Sequence, residues 1–350
     1  MSAALRVISP GLLTTVQDFG RPGYQHLGIP VSGALDPFSL YAANVLVGNA
    51  PGTAALEVAY VGPTLAVEAD SVRLAFVGGK VAIEILPDAT ASAGTLIGSM
   101  ESVRLERGAV IRVGSLWDSA ILYVAVEGGF DLPSALGSRS TYLRGGLGGW
   151  HGRALIAGDR LPLVLDRATD RDEFRLDDVD LGAPARFRVV LGPQHDYFSE
   201  SAIADFFARE YTVAAGSDRM AMRLDGAPIA HARGYDITSD AIAPGSIQVP
   251  GNGKPIVLLA DRQTTGGYPK LATVISADLP ALGRLPIGAK VAFEPVSIEE
   301  AVEARRALLQ QMHTLHEKLV PLSLPAATVA ARLQDANLIS GIVDGRSEAA

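Results

Sequence analysis

QVPGNGKPIVLLADRQTTGGYPKLATVISAD, residues 248 to 278, joins two apolar runs through a crowded polar loop. Pro255 to Ala260 is long enough for one buried strand and Leu271 to Ile275 for another, with Asp261-Arg262-Gln263-Thr264-Thr265-Gly266-Gly267-Tyr268-Pro269-Lys270 between them. The pattern predicts a strand, a polar loop and a strand. A carboxylate, a guanidinium, an amide and two hydroxyls follow one another, a denser hydrogen-bonding set than a turn requires. Gly266 and Gly267 let a ligand approach the main chain closely. If the first strand runs on unbroken, Asp261 and Gln263 share one face and Arg262 and Thr264 the other; a bulge changes that split. Two readings follow, a binding or catalytic mouth and a plain hairpin whose Asp261 and Arg262 satisfy local groups.

Working outward, the chain reads as many short strands. Leu65 to Val67, Val72 to Val77, Val81 to Leu86, Val110 to Val113 and Ile121 to Val126 are separated by Gly, Asp, Pro or Ser, which predicts a closed or nearly closed barrel or a sandwich. Near the start, Gln17, Asp18 and Arg21 surround the turn Gly20-Arg21-Pro22-Gly23, and Ser32-Gly33 makes a second turn. Asp36 and Pro37 then open a helix that Gly48 closes. Residues 166–182 are acid-rich and suit an exposed connector, dividing a lobe of residues 1–165 from a second lobe of 183–296. ILYVAVEGGF at 121–130 echoes the strand and Gly-Gly-Tyr of 255–268, and GRALIAGDRLPL at 152–163 echoes GRLPIGAKVAF at 283–293, which suggests two related barrels. From 297 to 350 the expectation is C-terminal helices and a tail: Ser297 and Glu300 form a capping box, Val302, Leu308, Leu309, Met312, Leu315 and Leu319 an apolar face, and a short helix runs from Pro325 to about Asp335.

With 350 residues, 48% of them hydrophobic, the chain has material for two cores. A net charge of −8 and the absence of a basic stripe with interleaved aromatics argue against nucleic acid as a partner. The absence of cysteine removes thiolate nucleophiles, disulfides and Cys-ligated zinc. His313 and His316 lie three apart with no third ligand in view, so no metal site is expected. The N-terminus has no basic segment followed by an apolar one, and no run approaches the roughly 20 apolar residues of a membrane span, so a soluble, cytoplasmic protein is expected. Gly251-Asn252-Gly253-Lys254 is followed by Pro255 rather than the hydroxyl of a P-loop, and neither G-x-S-x-G nor H-E-x-x-H occurs. Arg139 and Arg144, flanked by glycines and hydroxyls, read either as oxyanion ligands or as plain surface arginines, while Asp218 beside Arg219 suggests an ion pair.

TTVQDFGRPGYQHLGIPVSGALD at 14–36, LVGN at 46–49, GSRST at 137–141, SDRM at 217–220, IQVP at 247–250 and LADRQTTGGYPKLATVISADL at 259–279 resemble the biotin-dependent carboxyltransferase-like family, also called allophanate hydrolase subunit 2. The resemblance covers about residues 5 to 300. It implies a mainly β fold of two tandem cyclophilin-like β-barrel lobes, and a place in a complex that cleaves 5-oxo-L-proline to L-glutamate with ATP and its magnesium. The implied partners are two companion polypeptides, a B component of the KipI or allophanate hydrolase subunit 1 type and an A component, with no cofactor held by this chain alone. Two alternatives share the resemblance: the carboxyltransferase component of a biotin-dependent urea or amide carboxylase, and a non-enzymatic antagonist of a KipI-type inhibitor of a sensor kinase. Met220-Ala221-Met222 has alanine where a biotin carrier has lysine, and Arg284 stands where the family usually has glutamine. From residue chemistry, Asp261, Arg262 and Lys270 are the catalytic candidates. Gln263, Thr264, Tyr268, Asp278, Gln17, Asp18, Arg21 and Arg139 are the substrate-binding ones, with Arg262 as carboxylate or phosphate clamp and Gln263 and Thr264 as amide readers.

Overall fold

A computed structural model describes residues 3–91 and 93–322; the short helix expected from Pro325 and the tail lie outside them. The protein is mainly β. In the first lobe two antiparallel sheets pack face to face. One has the strand order Arg160–Pro162, Ala4–Ser9, Thr64–Val67, Val110–Leu116, Val81–Leu86, Thr95–Ile97; the other has Leu13–Gln17, Ala55–Ala59, Ile121–Val126, Ser71–Val77, Ser102–Glu106. The strands read from the apolar runs are all present, two of them with the expected bounds.

Side-chain alternation explains why Ile121–Val126 is apolar throughout. Leu122, Val124 and Val126 enter the core between the sheets, whereas Ile121, Tyr123 and Ala125 face helix α1 (Pro37–Leu46). Each large apolar side chain so buried stabilises the fold by about 1.5–3 kcal/mol. Helix α1 starts where the sequence places it: the Ser39 N–H donates to Asp36 Oδ1 at 3.0 Å, Pro37 opens the first turn, and Gly48 follows the end at φ +72°.

The second lobe is a closed barrel in the order Phe187–Leu191, Lys270–Val274, Ser246–Gln248, Ile256–Leu258, Ala221–Asp225, Glu210–Val213, Lys290–Pro295, returning to the first strand. Closure leaves no unpaired edge. Phe206, from α2 (Glu200–Ala208), stacks on Phe293 inside it with ring centroids 5.0 Å apart. The echo between the halves does not extend to strand pairing: Ala4–Ser9 runs antiparallel to Arg160–Pro162, but Phe187–Leu191 runs parallel to Lys290–Pro295.

Residues 166–182 are more firmly held than their acidity suggests. Arg73, buried in the strand Ser71–Val77, donates to Glu127 at 2.7 Å and Glu173 at 2.8 Å and to the carbonyls of Thr169 and Arg171. Phe174–Leu176 pairs with Leu319–Pro321, which follows helix α4 (Ile298–His313). The Ser297–Glu300 capping box is formed. Only part of the expected apolar face of α4 is covered: Met312 and Leu315 are buried, but Val302 and Leu309 remain exposed. The lobes meet closely at α3 (Leu279–Gly283), where a Cβ on Gly283 would lie 2.6 Å from the Leu35 carbonyl oxygen. No helix among the described residues is long and apolar enough to cross a membrane.

Candidate functional site

The strand Ile256–Leu258 ends early, and the chain turns rather than continuing extended through Asp261, so the two-face split does not arise. Asp261 and Arg262 are both buried but serve different surroundings. Both Asp261 oxygens accept from Arg219, at 2.9 Å from Nε and 3.3 Å from Nη2. Arg219 does not pair with its neighbour Asp218. Its Nη1 reaches Glu57 of the first lobe, and its Nη2 donates to the Gly33 carbonyl at 2.6 Å. Asp218 pairs instead with Arg144 and accepts from the Met220 and Ala221 N–H groups.

This polar seam continues across the lobes. The other Glu57 oxygen accepts from the Tyr123 hydroxyl and from the Leu35 N–H at 2.9 Å, and the Tyr123 oxygen accepts from the Asp36 N–H at 3.0 Å. Asp36 in turn binds Arg284, which donates to the Leu181 carbonyl at 2.6 Å. Burial disfavours the charge on Arg219, but Glu57 and Asp261 outweigh it and hold the guanidinium above its ordinary pKa. Burial, then the nearby Glu57 and Asp36 carboxylates, push the Tyr123 phenol well up. Glu57 and Tyr123 were missed in the sequence; the available signal was a lone acid inside the apolar strand Ala55–Ala59.

The N-terminal turns are organised by Asp18. Its Oδ1 accepts from the Gly20 N–H at 2.7 Å and the Ser138 hydroxyl at 2.6 Å and also from the Ser140 hydroxyl, and its Oδ2 accepts from the Arg139 N–H at 2.6 Å. Arg139 Nε donates to the Leu132 carbonyl, leaving the side chain in its own loop. Gln17 donates to the Thr15 hydroxyl and the Thr141 carbonyl. Arg21 is buried, its Nη2 on the Ser140 carbonyl and its Nη1 without a partner among the described residues. Burial lowers its pKa against the attraction of Asp18 and Asp261, which places these three groups in one electrostatic neighbourhood. The two turns touch backbone to backbone: a Cβ on Gly33 would be 2.8 Å from the Gly20 nitrogen.

Farther along the loop, Lys270 is buried with its ammonium 2.8 Å from Asp240, and Gln194 bonds to both residues. The hydrogen bond from Lys270 is the first cause of the lowered Asp240 pKa. Gln263 Nε2 meets Gln248 at 3.4 Å while its Oε1 is buried with no partner among the described residues; the Thr264 carbonyl accepts from the Ile242 N–H, and Tyr268 is 41% exposed. Asp278 is not with them. Its two oxygens accept from Arg188, with Nη2 at 2.6 Å, and it lines a different opening together with Arg188 and Arg284.

Arg262 is the loop residue that faces a cavity made by both lobes. This cavity, about 240 Å³, is walled by Phe19, Val31, Ser32, Leu35 and Pro37 from the first lobe, by Leu258 to Ala260, Arg262 and Leu279 from the second, and by Arg305 of α4. Arg262 Nε and Nη1 donate to the carbonyls of Ile242 and Leu259, and Nη2 has no acceptor among the described residues. With no carboxylate to offset it, burial lowers the pKa of this guanidinium. Ser32, at φ +55° with a buried hydroxyl that has no partner among the described residues, stands in the wall. A strained residue and an uncompensated cation in a mostly apolar pocket suit recognition of one small anionic group.

Fold and site together define a two-lobed β protein with a cavity walled by both lobes. The chain belongs to the family of the carboxyltransferase domain, subdomain A and B, whose sequence model matches residues 27–295. It is 36% identical over 303 residues to the 5-oxoprolinase C subunit of Escherichia coli (strain K12), covering 86% of this chain and 94% of that protein. To urea amidolyase of Saccharomyces cerevisiae it is 30% identical over 318 residues, 85% of this chain but 17% of that protein. The crystal structure of urea carboxylase from Kluyveromyces lactis superposes with a TM-score of 0.80 at 27% identity, over 93% of this chain and 31% of that one.

Proposed function

We propose that this chain is the C subunit of a cytoplasmic 5-oxoprolinase, acting with companion A and B components to convert 5-oxo-L-proline to L-glutamate with ATP. The likeness along nearly the whole of the Escherichia coli protein supports the reading. The observation that carries it to this site is Arg262, a buried guanidinium with no carboxylate partner among the described residues, at a cavity of about 240 Å³. In such a poorly solvated place a charge-assisted bond to the substrate carboxylate is strong.

The reaction adds water across the lactam carbonyl, breaks the ring C–N bond and leaves the nitrogen as the amine of glutamate. Arg262 holds the carboxylate, whereas Gln263 and Thr264, the expected amide readers, do not line its cavity. Asp261, occupied by Arg219, and Lys270, seated on Asp240, are positioning residues; Asp18, Arg139 and Asp278 likewise hold loops. Proton transfer then falls to a group on a companion polypeptide. Lys254, in the glycine turn that precedes Pro255, sits on Asp225 at 2.8 Å rather than free for a phosphate. In the mixed complex, ATP-dependent glutamate release is expected, and Arg262→Gln should lower kcat/KM at least about tenfold. Glutamate release that is absent, or unchanged in a folded Arg262→Gln complex, refutes the reading.

A second reading, carboxyl transfer from biotin on another chain to a small amide, is favoured by the likeness to urea carboxylase. It predicts bicarbonate- and biotin-dependent carboxylation in place of glutamate release.

A further inference from the structure

Helix α4 begins at Ile298, just past the end of the family match at residue 295. Its Arg305 lines the Arg262 cavity, and it also lines an adjoining apolar groove with Phe19, Tyr41, Leu308 and Met312. Arg305 makes no ion pair among the described residues, whereas the next residue, Arg306, lies 3.7 Å from Glu303. The positions three and four away along the helix, Ala301, Val302, Leu308 and Leu309, supply no acid. Neither Asp nor Glu is among the described residues walling the cavity. Arg262, buried, and Arg305, exposed, thus both line one small cavity whose described wall carries no acid, an arrangement suited to a small oxyanion.

We propose that Arg305 and Arg262 are two arms of a clamp for a small oxyanion, a carboxylate or phosphate group, which makes α4 a wall of the binding site. The clamp rests on the same cavity as the 5-oxoprolinase reading, and its test needs no turnover. The full chain alone is titrated calorimetrically with inorganic phosphate, with 5-oxo-L-proline and with uncharged 2-pyrrolidone. At least one anion is expected to bind, more weakly as salt rises. Arg305→Gln should weaken that binding about tenfold, the loss expected for one charge-assisted bond, with thermal unfolding unchanged. Arg306→Gln, which alters net charge equally, should leave it as it was.

Whether phosphate or 5-oxo-L-proline responds to Arg305→Gln identifies which oxyanion is held. Failure of both anions to bind, equal loss in the two variants, or binding of 2-pyrrolidone with the same affinity overturns the clamp. If anion binding depends on Arg305 but the mixed complex releases no glutamate, the clamp stands and the 5-oxoprolinase reading falls. If turnover depends on Arg262 while Arg305→Gln binds and turns over normally, the reverse holds.

Discussion

Replacing Arg219 by methionine keeps much of the side-chain volume and removes the cation shared by Glu57 and Asp261, both buried. The two carboxylates, from opposite lobes, then lose the cation they share, with Arg21 still attracted by Asp261, and the Gly33 carbonyl loses its donor. Removing one partner of a buried pair ordinarily costs about 3–5 kcal/mol. The variant can limit the loss by taking up a proton: neutralising a carboxylate of ordinary pKa near 4 at pH 7 costs about 4 kcal/mol, and about 1.4 kcal/mol at pH 5. One neutralised carboxylate therefore sets the expected destabilisation at pH 7 at about 4 kcal/mol, and two at about 8, a large share of the roughly 5–15 kcal/mol typical of a domain. The sign of the pH dependence follows, since the folded variant binds a proton the unfolded chain lacks. Its stability should rise by about 2–3 kcal/mol per neutralised carboxylate as pH falls from about 7 to about 5. Urea unfolding at both pH values measures this, and adding Glu57→Gln and Asp261→Asn to Arg219→Met should recover most of the loss at pH 7. A single variant within about 1 kcal/mol of the parent at pH 7, or one whose deficit deepens on acidification, refutes the view that this seam joins the lobes through balanced charge.

Two further outcomes test the packing of the same framework. Gly283→Ala puts a methyl group against the Leu35 carbonyl, 2.6 Å from its oxygen, and should destabilise by about 1–3 kcal/mol in urea unfolding; a neutral result would mean the lobes separate freely there. Asp159 accepts from Arg153 at 2.7 and 2.8 Å; burial raises its pKa, but these bonds and the Ile156 N–H outweigh it and hold the carboxyl at about 2. Because that lies below the unfolded value of about 3.9, the stability it contributes is present above about pH 4 and is lost as pH falls through about 2. Asp159→Asn should flatten the acid limb in that window, and an unchanged limb in thermal scans would remove the assignment.

Several local features were legible from residue order alone. Apolar runs broken by Gly, Asp, Pro or Ser marked the strands, because alternation and turn chemistry act over a few residues. Asp36-Pro37 and Ser297-Glu300 marked helix starts for the same reason, and the polar decapeptide from Asp261 was recognisable as a loop between two strands. Long-range pairing of charges was not legible. Asp218 adjoins Arg219 in sequence, yet the backbone turn aims Arg219 at Glu57, 162 residues away. Asp278 lies close to the loop in sequence but belongs to Arg188, and Arg305 reaches the cavity from a helix that sequence reading assigned to packing alone. Local pattern determined which segments became strands, turns and caps. Only the docking of two lobes and a returning helix decided which charges met, because a salt bridge depends on where rigid elements come to rest rather than on neighbours along the chain.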